Sequence, residues 1–321
     1  MRAKPLLIAG LLFLLAAVAC TRPMRYDSQS PIPTQVEFTP LSPSELPLLL
    51  TPSPFRTLLP PASTSEPTST STPQPKRFAV FQVAEGGVLN VRAGAGVTND
   101  VIGTLEANSR DLSSTSSQEE VDGEAWLEIN QPEGGTGWVY MGFITEQVSS
   151  DQFCADGRVQ DLLDQLSAAI QAQDGSALAR LVSPLHGLFI RHEWWNPEVH
   201  FSDPQVVSNL FSSTVDYDWG KQDGSGEPIV GPFKDIILPE LEDVLSAAYS
   251  GYCNTLEKDQ ATGNTAGLVK LPFEYQNLNY VSLYRAAKPD DEMNWRTWAV
   301  GIEYVDGKPY LCYLIQYHWE I

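Results

Sequence analysis

Hydrophobic positions fall into three regimes along this chain. A nearly unbroken apolar run, Leu6 to Val18, stands behind the cations Arg2 and Lys4. That run is too short to cross a ~30 Å hydrocarbon core, and small residues follow at Ala17 and Ala19, so residues 1–20 are predicted to be a signal peptide. From 21 to 77 the chain is dense in Pro, Ser and Thr, most of all from Ser63 to Pro73. It holds too little apolar surface to fold and predicts a disordered linker, with a root-mean-square reach of roughly 40 Å. The cluster Leu46 to Leu50 is interrupted by Pro47 and too short to span a membrane.

Beyond the linker the pattern shortens. Strand-like pieces at Val88 to Arg92, Val101 to Leu105, Ala125 to Ile129 and Gly137 to Tyr140 alternate with Gly, Asn, Asp and Ser turns, which predicts a small all-β barrel over 78–147. The next segment changes period. Val159, Leu162, Leu163, Leu166, Ala169 and Ile170 form one helical stripe from Arg158 to about Gln173. Asp174-Gly175 then breaks the helix, and Ser176 is the expected cap of a second one running to Val182. A strand at Leu188 to His192 and helices at Pro204 to Ser212 and Ile236 to Tyr249 come next. The end is strand-like, in Tyr280 to Tyr284, Trp298 to Val305 and Tyr310 to Trp319, with a hairpin turn at Asp306-Gly307. The expected architecture is therefore multidomain, a β barrel followed by an α+β domain over 151–321 whose helices cover one face of a curved antiparallel sheet.

Particular residues tie these segments to known families. Ala19-Cys20 resembles the end of a bacterial lipobox, with Ala17 where leucine is usual, which implies cleavage before Cys20 and its lipidation. Val88-Leu89-Asn90-Val91-Arg92-Ala93-Gly94-Ala95-Gly96, Trp126 and Gly137-Trp138-Val139-Tyr140 are similar in order and spacing to a bacterial Src-homology-3 domain. Domains of that kind often bind peptidoglycan peptides or glycans, and many serve only as packing modules. The run Ala168 to Asp174 and Ala177 to Leu181 is similar to the opening of cone-like nuclear-transport-factor-2 folds. Trp219-Gly220-Lys221-Gln222-Asp223-Gly224-Ser225-Gly226-Glu227-Pro228-Ile229, with Leu181 to Ile190 and the tail His318 to Ile321, resembles exported lipoproteins without an assigned activity. These resemblances imply a bacterial, extracytoplasmic protein anchored to a membrane by lipid, with peptidoglycan or envelope proteins as partners.

Charge narrows the partners further. Formal charge is −20, and signal-peptide removal takes Arg2 and Lys4 but no acid, leaving −22. Such a chain repels nucleic acid and has no basic run to compensate. Cys154, Cys253 and Cys312 remain beyond Cys20, so export predicts one disulfide. Three pairings are open; Cys312 sits in a strand-like run where it would serve as a small buried hydrophobe, which leaves Cys154 with Cys253 as the expected pair.

Candidate chemistry is sparse. Arg92, Trp126, Trp138 and Trp219 are the candidate ligand-binding residues, against a core role for each tryptophan. Asp216, Asp218, Asp223 and Glu227 offer oxygens in a glycine-rich loop but lack EF-hand spacing, and turn formation explains them more simply. His192-Glu193 lacks the second histidine of a zinc protease helix. No nucleophile elbow, phosphate loop or dinucleotide fingerprint occurs, so no cofactor, resident metal or catalytic residue is expected. The expected function is non-catalytic binding of wall peptide or glycan. The alternatives are a wall-polymer hydrolase with Asp223 or Glu227 as acid near His318, and a scaffold within an envelope complex.

Overall fold

The computed structural model describes residues 76–131, 134–256 and 270–320. The signal peptide, Cys20 and the linker up to residue 75 lie outside the described residues.

The first β segment contains strands β1 (Arg77–Val80), β2 (Val88–Arg92), β3 (Val101–Glu106), β4 (Leu112–Val121), β5 (Glu124–Asn130), β6 (Thr136–Tyr140) and β7 (Ile144–Glu146). They pair in the order β3-β2-β6-β5-β4-β1-β7. Alternation puts Leu89, Val91, Leu127, Ile129 and Val139 into a common core with Phe78, Val80, Leu105, Leu112 and Ile144. β4 escapes notice in the sequence because Ser114 to Glu120 are all polar, and most of its length is exposed.

Helices α1 (Ser150–Ala155), α2 (Gly157–Ala172) and α3 (Gly175–Leu181) follow, then β8 (Leu188–Arg191), β9 (Val199–Phe201), α4 (Pro204–Ser208), the hairpin β10 (Tyr217–Lys221) and β11 (Pro228–Gly231), α5 (Phe233–Ile236), α6 (Leu238–Leu245) and β12 (Ser250–Cys253). Three strands close the chain, β13 (Asn279–Arg285), β14 (Arg296–Val305) and β15 (Lys308–His318). The α2 stripe is buried as its spacing predicts. Asp174, not Ser176, caps α3, its side chain accepting from the Ala177 amide. The helical region expected at Ile236 to Tyr249 begins earlier, at Phe233, and ends at Leu245. Asp306 and Gly307 both take positive φ, 52° and 72°, as the tight β14–β15 hairpin requires.

The sheet is mixed and not antiparallel throughout. β15 runs parallel to β8, with Tyr313, Leu314 and Ile315 opposite Phe189, Ile190 and Arg191. That pairing joins strands more than a hundred residues apart, and local patterning carries no trace of it. One face of β14 and β15 packs Trp298, Val300, Ile302, Leu311 and Leu314 against the helices. The other face carries an aromatic layer with Phe189, Tyr275, Trp295, Tyr313 and Tyr317, and Phe81, just after β1, is buried in it. Among the described residues no helix is long and apolar enough to cross a membrane.

The two folded segments are also not separate. β7 pairs with both β1 and β14, through Tyr304 opposite Glu146, and the strands of both segments join one curled sheet within a single compact unit. Asn277 Nδ2 donates to the Val80 carbonyl at 2.7 Å, and the Gln82 amide donates to the Glu274 carbonyl at 3.2 Å.

A disulfide joins Cys154 on α1 to Cys253 on β12, 99 residues apart in sequence, and Cys312 is buried and free. A crosslink closing so long a loop limits the unfolded chain strongly, so Cys154→Ala with Cys253→Ala is expected to lower unfolding free energy by about 2–4 kcal/mol. A fall in the unfolding free energy extrapolated from urea, with a steeper slope as the freed chain expands, measures it.

Candidate functional site

A groove of about 560 Å³ opens on the first β segment. β5 supplies Glu124 and Trp126, β6 ends in Tyr140, the following turn contributes Phe143, and β2 brings Val88 and Arg92. Trp126 and Tyr140 lie ring to ring at 5.7 Å, and Phe143 meets Tyr140 edge-on at 5.6 Å. Val88, Val97 and Phe143 are exposed, unusual for apolar side chains gathered in one place. Trp126 is almost fully buried, and its indole N–H has no acceptor. Arg92 is tied down, donating to the Asn99 carbonyl at 2.8 Å, while Glu124 is exposed. The groove thus combines an aromatic wall and an acid, which suits a ligand with an apolar face and an amine.

The other candidate residues do not join it. Trp138 is half-buried on β6 and does not line the groove. Trp219 is wholly buried, its Nε1 donating to the Gly231 carbonyl at 2.9 Å and its ring packed on Phe201 and Tyr217. It is core and not a ligand platform. Asp216, Asp218, Asp223 and Glu227 lie on or beside the β10–β11 hairpin, where Asp218 accepts from the Gly220 amide at 3.0 Å, and they are not gathered into a cation site.

A second constellation was not legible in sequence. β8 and β15 are parallel neighbours, so the residues just past Arg191 and the end of β15 lie at the same end of the sheet. There His318 Nε2 meets Glu193 Oε1 at 3.0 Å, and His192 Nδ1 lies 3.6 Å from the same oxygen. Glu193 is buried and its Oε2 has no partner. Burial opposes its ionisation, but the facing imidazoles of His192 and His318 more than offset that and take the carboxyl down to about 2. Glu320, half-buried nearby, moves the other way, raised by burial against the attraction of His318, with Glu193 and Asp223 adding repulsion. Asp223 stands within electrostatic reach of Glu320, and the residue that bonds His318 is Glu193.

No family model, curated protein or solved structure matches this chain. Its chemistry rests on geometry alone.

Because the Glu193 carboxyl titrates below its ordinary 4.5, its ionised form stabilises the fold above that pH, and the contribution is lost as pH falls towards 2. Glu193→Gln is expected to cost on the order of 1–2 kcal/mol at pH 6, discounted for partial solvation. The deficit should close by pH 2. Urea unfolding of both proteins across that range checks the sign.

Proposed function

We propose that this chain is an envelope lipoprotein, anchored through Cys20, that binds cell-wall peptide or glycan without chemistry. In this reading residues 78–147 are a bacterial Src-homology-3-like barrel and the Trp126 groove is its binding surface. The observation that carries it is the grouping of Trp126, Tyr140 and Phe143 beside exposed Val88, Val97 and Glu124. Sugar rings and aliphatic side chains gain from stacking on such a wall. A free amine of a wall peptide gains from Glu124. An acidic chain also has little affinity for polyanions, which leaves the amine-bearing part of the wall as the complementary target. The linker supplies the reach between lipid and wall.

One observation favours a second reading, hydrolysis of envelope polymer. Glu193 and Glu320 are carboxyls displaced in opposite directions beside His318, the separation that acid and base roles need.

Co-sedimentation with isolated peptidoglycan distinguishes them, using the full chain with Cys20→Ser to keep it soluble. The unaltered groove should pellet with the wall and release no fragments. Val97→Asp with Val88→Asp, both at exposed positions, should weaken binding at least about tenfold. Equal binding by the variant would refute the groove, and muropeptides in the supernatant that vanish with Glu320→Gln would favour the hydrolase.

A further inference from the structure

Among the described residues, one closed polar cluster lies in the seam between the two segments. His186, just before β8, Glu303 on β14 and Cys312 on β15 are all buried, and one donor atom from each lies within 4.8 Å of the others. Each is aimed there by local structure. β15 carries one extra residue opposite the Gly301/Ile302 step, where the register changes from Tyr313 to Leu311, and that residue is Cys312. The bulge places Cys312 together with Tyr313 in the aromatic layer, while Leu311 and Leu314 pack in the helix-side core.

Hydrogen bonding then fixes the imidazole. Nε2 of His186 lies 3.1 Å from the Met141 carbonyl, which can only accept, so Nε2 carries the hydrogen. Nδ1 faces Glu303 Oε2 at 2.7 Å. A ring-nitrogen lone pair and a carboxylate oxygen that close require a cation between them, either a proton or a metal ion. Oε1 of the same carboxylate is buried with no partner in hydrogen-bond geometry, although the Cys312 thiol lies near enough to feel its charge. Oε2 also receives a long contact, 3.5 Å, from the Thr145 hydroxyl.

We infer that His186, Glu303 and Cys312 supply three of the four donors of a buried site for a borderline divalent metal ion, zinc by preference, with one water completing the tetrahedron. Imidazole, carboxylate and thiolate are the donors zinc takes, and the thiolate disfavours magnesium or calcium. Charge supports it, because a neutral imidazole, a carboxylate and a thiolate balance a divalent ion and leave no net charge in a buried site. The outer contacts are those that orient metal ligands, with the second imidazole nitrogen donating to a backbone carbonyl and a hydroxyl against the carboxylate. Metal entry displaces two protons, the one shared by Nδ1 and Oε2 and the one on the thiol. It also opens the Nδ1···Oε2 gap from 2.7 Å to the roughly 3.3 Å that two bonds of about 2.0–2.1 Å subtend at a tetrahedral centre. Met141 and Thr145 belong to the first segment and the three ligands to the second, so the ion would tie the two together.

The full chain, purified from zinc-containing medium and dialysed against metal-free buffer, should retain about one zinc per chain by mass spectrometry. X-ray absorption at the zinc edge should show one sulfur neighbour among nitrogen and oxygen. Exchange with cobalt(II) should give a near-ultraviolet sulfur-to-cobalt charge-transfer band, lost in Cys312→Ala and kept in Cys154→Ala with Cys253→Ala. The absorption experiment uses the unaltered chain and stands even if Cys312→Ala fails to fold. A wild-type chain that holds no zinc and gives no cobalt band overturns the site, as does zinc with a shell lacking sulfur.

Discussion

Glu303 imposes the constraint on which the rest of the structure depends. A carboxyl in the middle of a sheet, almost without solvent, costs several kcal/mol unless it is paired, and here its partners come from two distant parts of the chain. His186 reaches it from the loop before β8 and Thr145 from β7, while the Cys312 thiol, at a bulge in β15, lies beside it. The imidazole that satisfies Glu303 also grips the Met141 carbonyl, so one polar cluster fixes the first β segment, the parallel strand β8 and the final hairpin relative to one another. Phe81 completes the lock on the apolar side, stacking edge-on against His186, Phe189 and Tyr275.

This seam explains why the groove is where it is. The Phe143 that borders the groove lies in the turn between β6 and β7, and Met141 in the same turn accepts from His186. The backbone beside the groove is therefore held by the second segment. The Glu193 and Glu320 cluster depends on the same arrangement, since the parallel pairing of β8 with β15 brings His318 to Glu193.

What was legible in the sequence was local. Alternating Leu89, Val91, Leu127 and Ile129 marked the strands of the first segment, the Val159 to Ile170 stripe marked α2, and Asp306-Gly307 marked the last turn. What was not legible was long-range or buried among polar residues. The parallel pairing of β8 with β15 and the tie between β7 and β14 leave no periodicity. The cluster of His186, Glu303 and Cys312 spans more than a hundred residues with no short metal-ligand spacing to betray it. Trp219 is ambiguous in sequence, because an aromatic in a glycine-rich motif looks the same whether it faces a ligand or the core; the Gly231 carbonyl that takes its indole hydrogen decides for the core.

The central claim is that residues on both sides of the seam form one cooperative unit. Native-state hydrogen exchange on the full chain tests it most directly, by comparing the opening free energies of the Leu127 and Ile129 amides on β5 with those of Val300 and Ile302 on β14. A single seam-locked unit predicts that both sets open together, at the same free energy and with the same denaturant dependence. Opening of β5 several kcal/mol below β14, with β14 still protected, would show two independent domains and contradict the account.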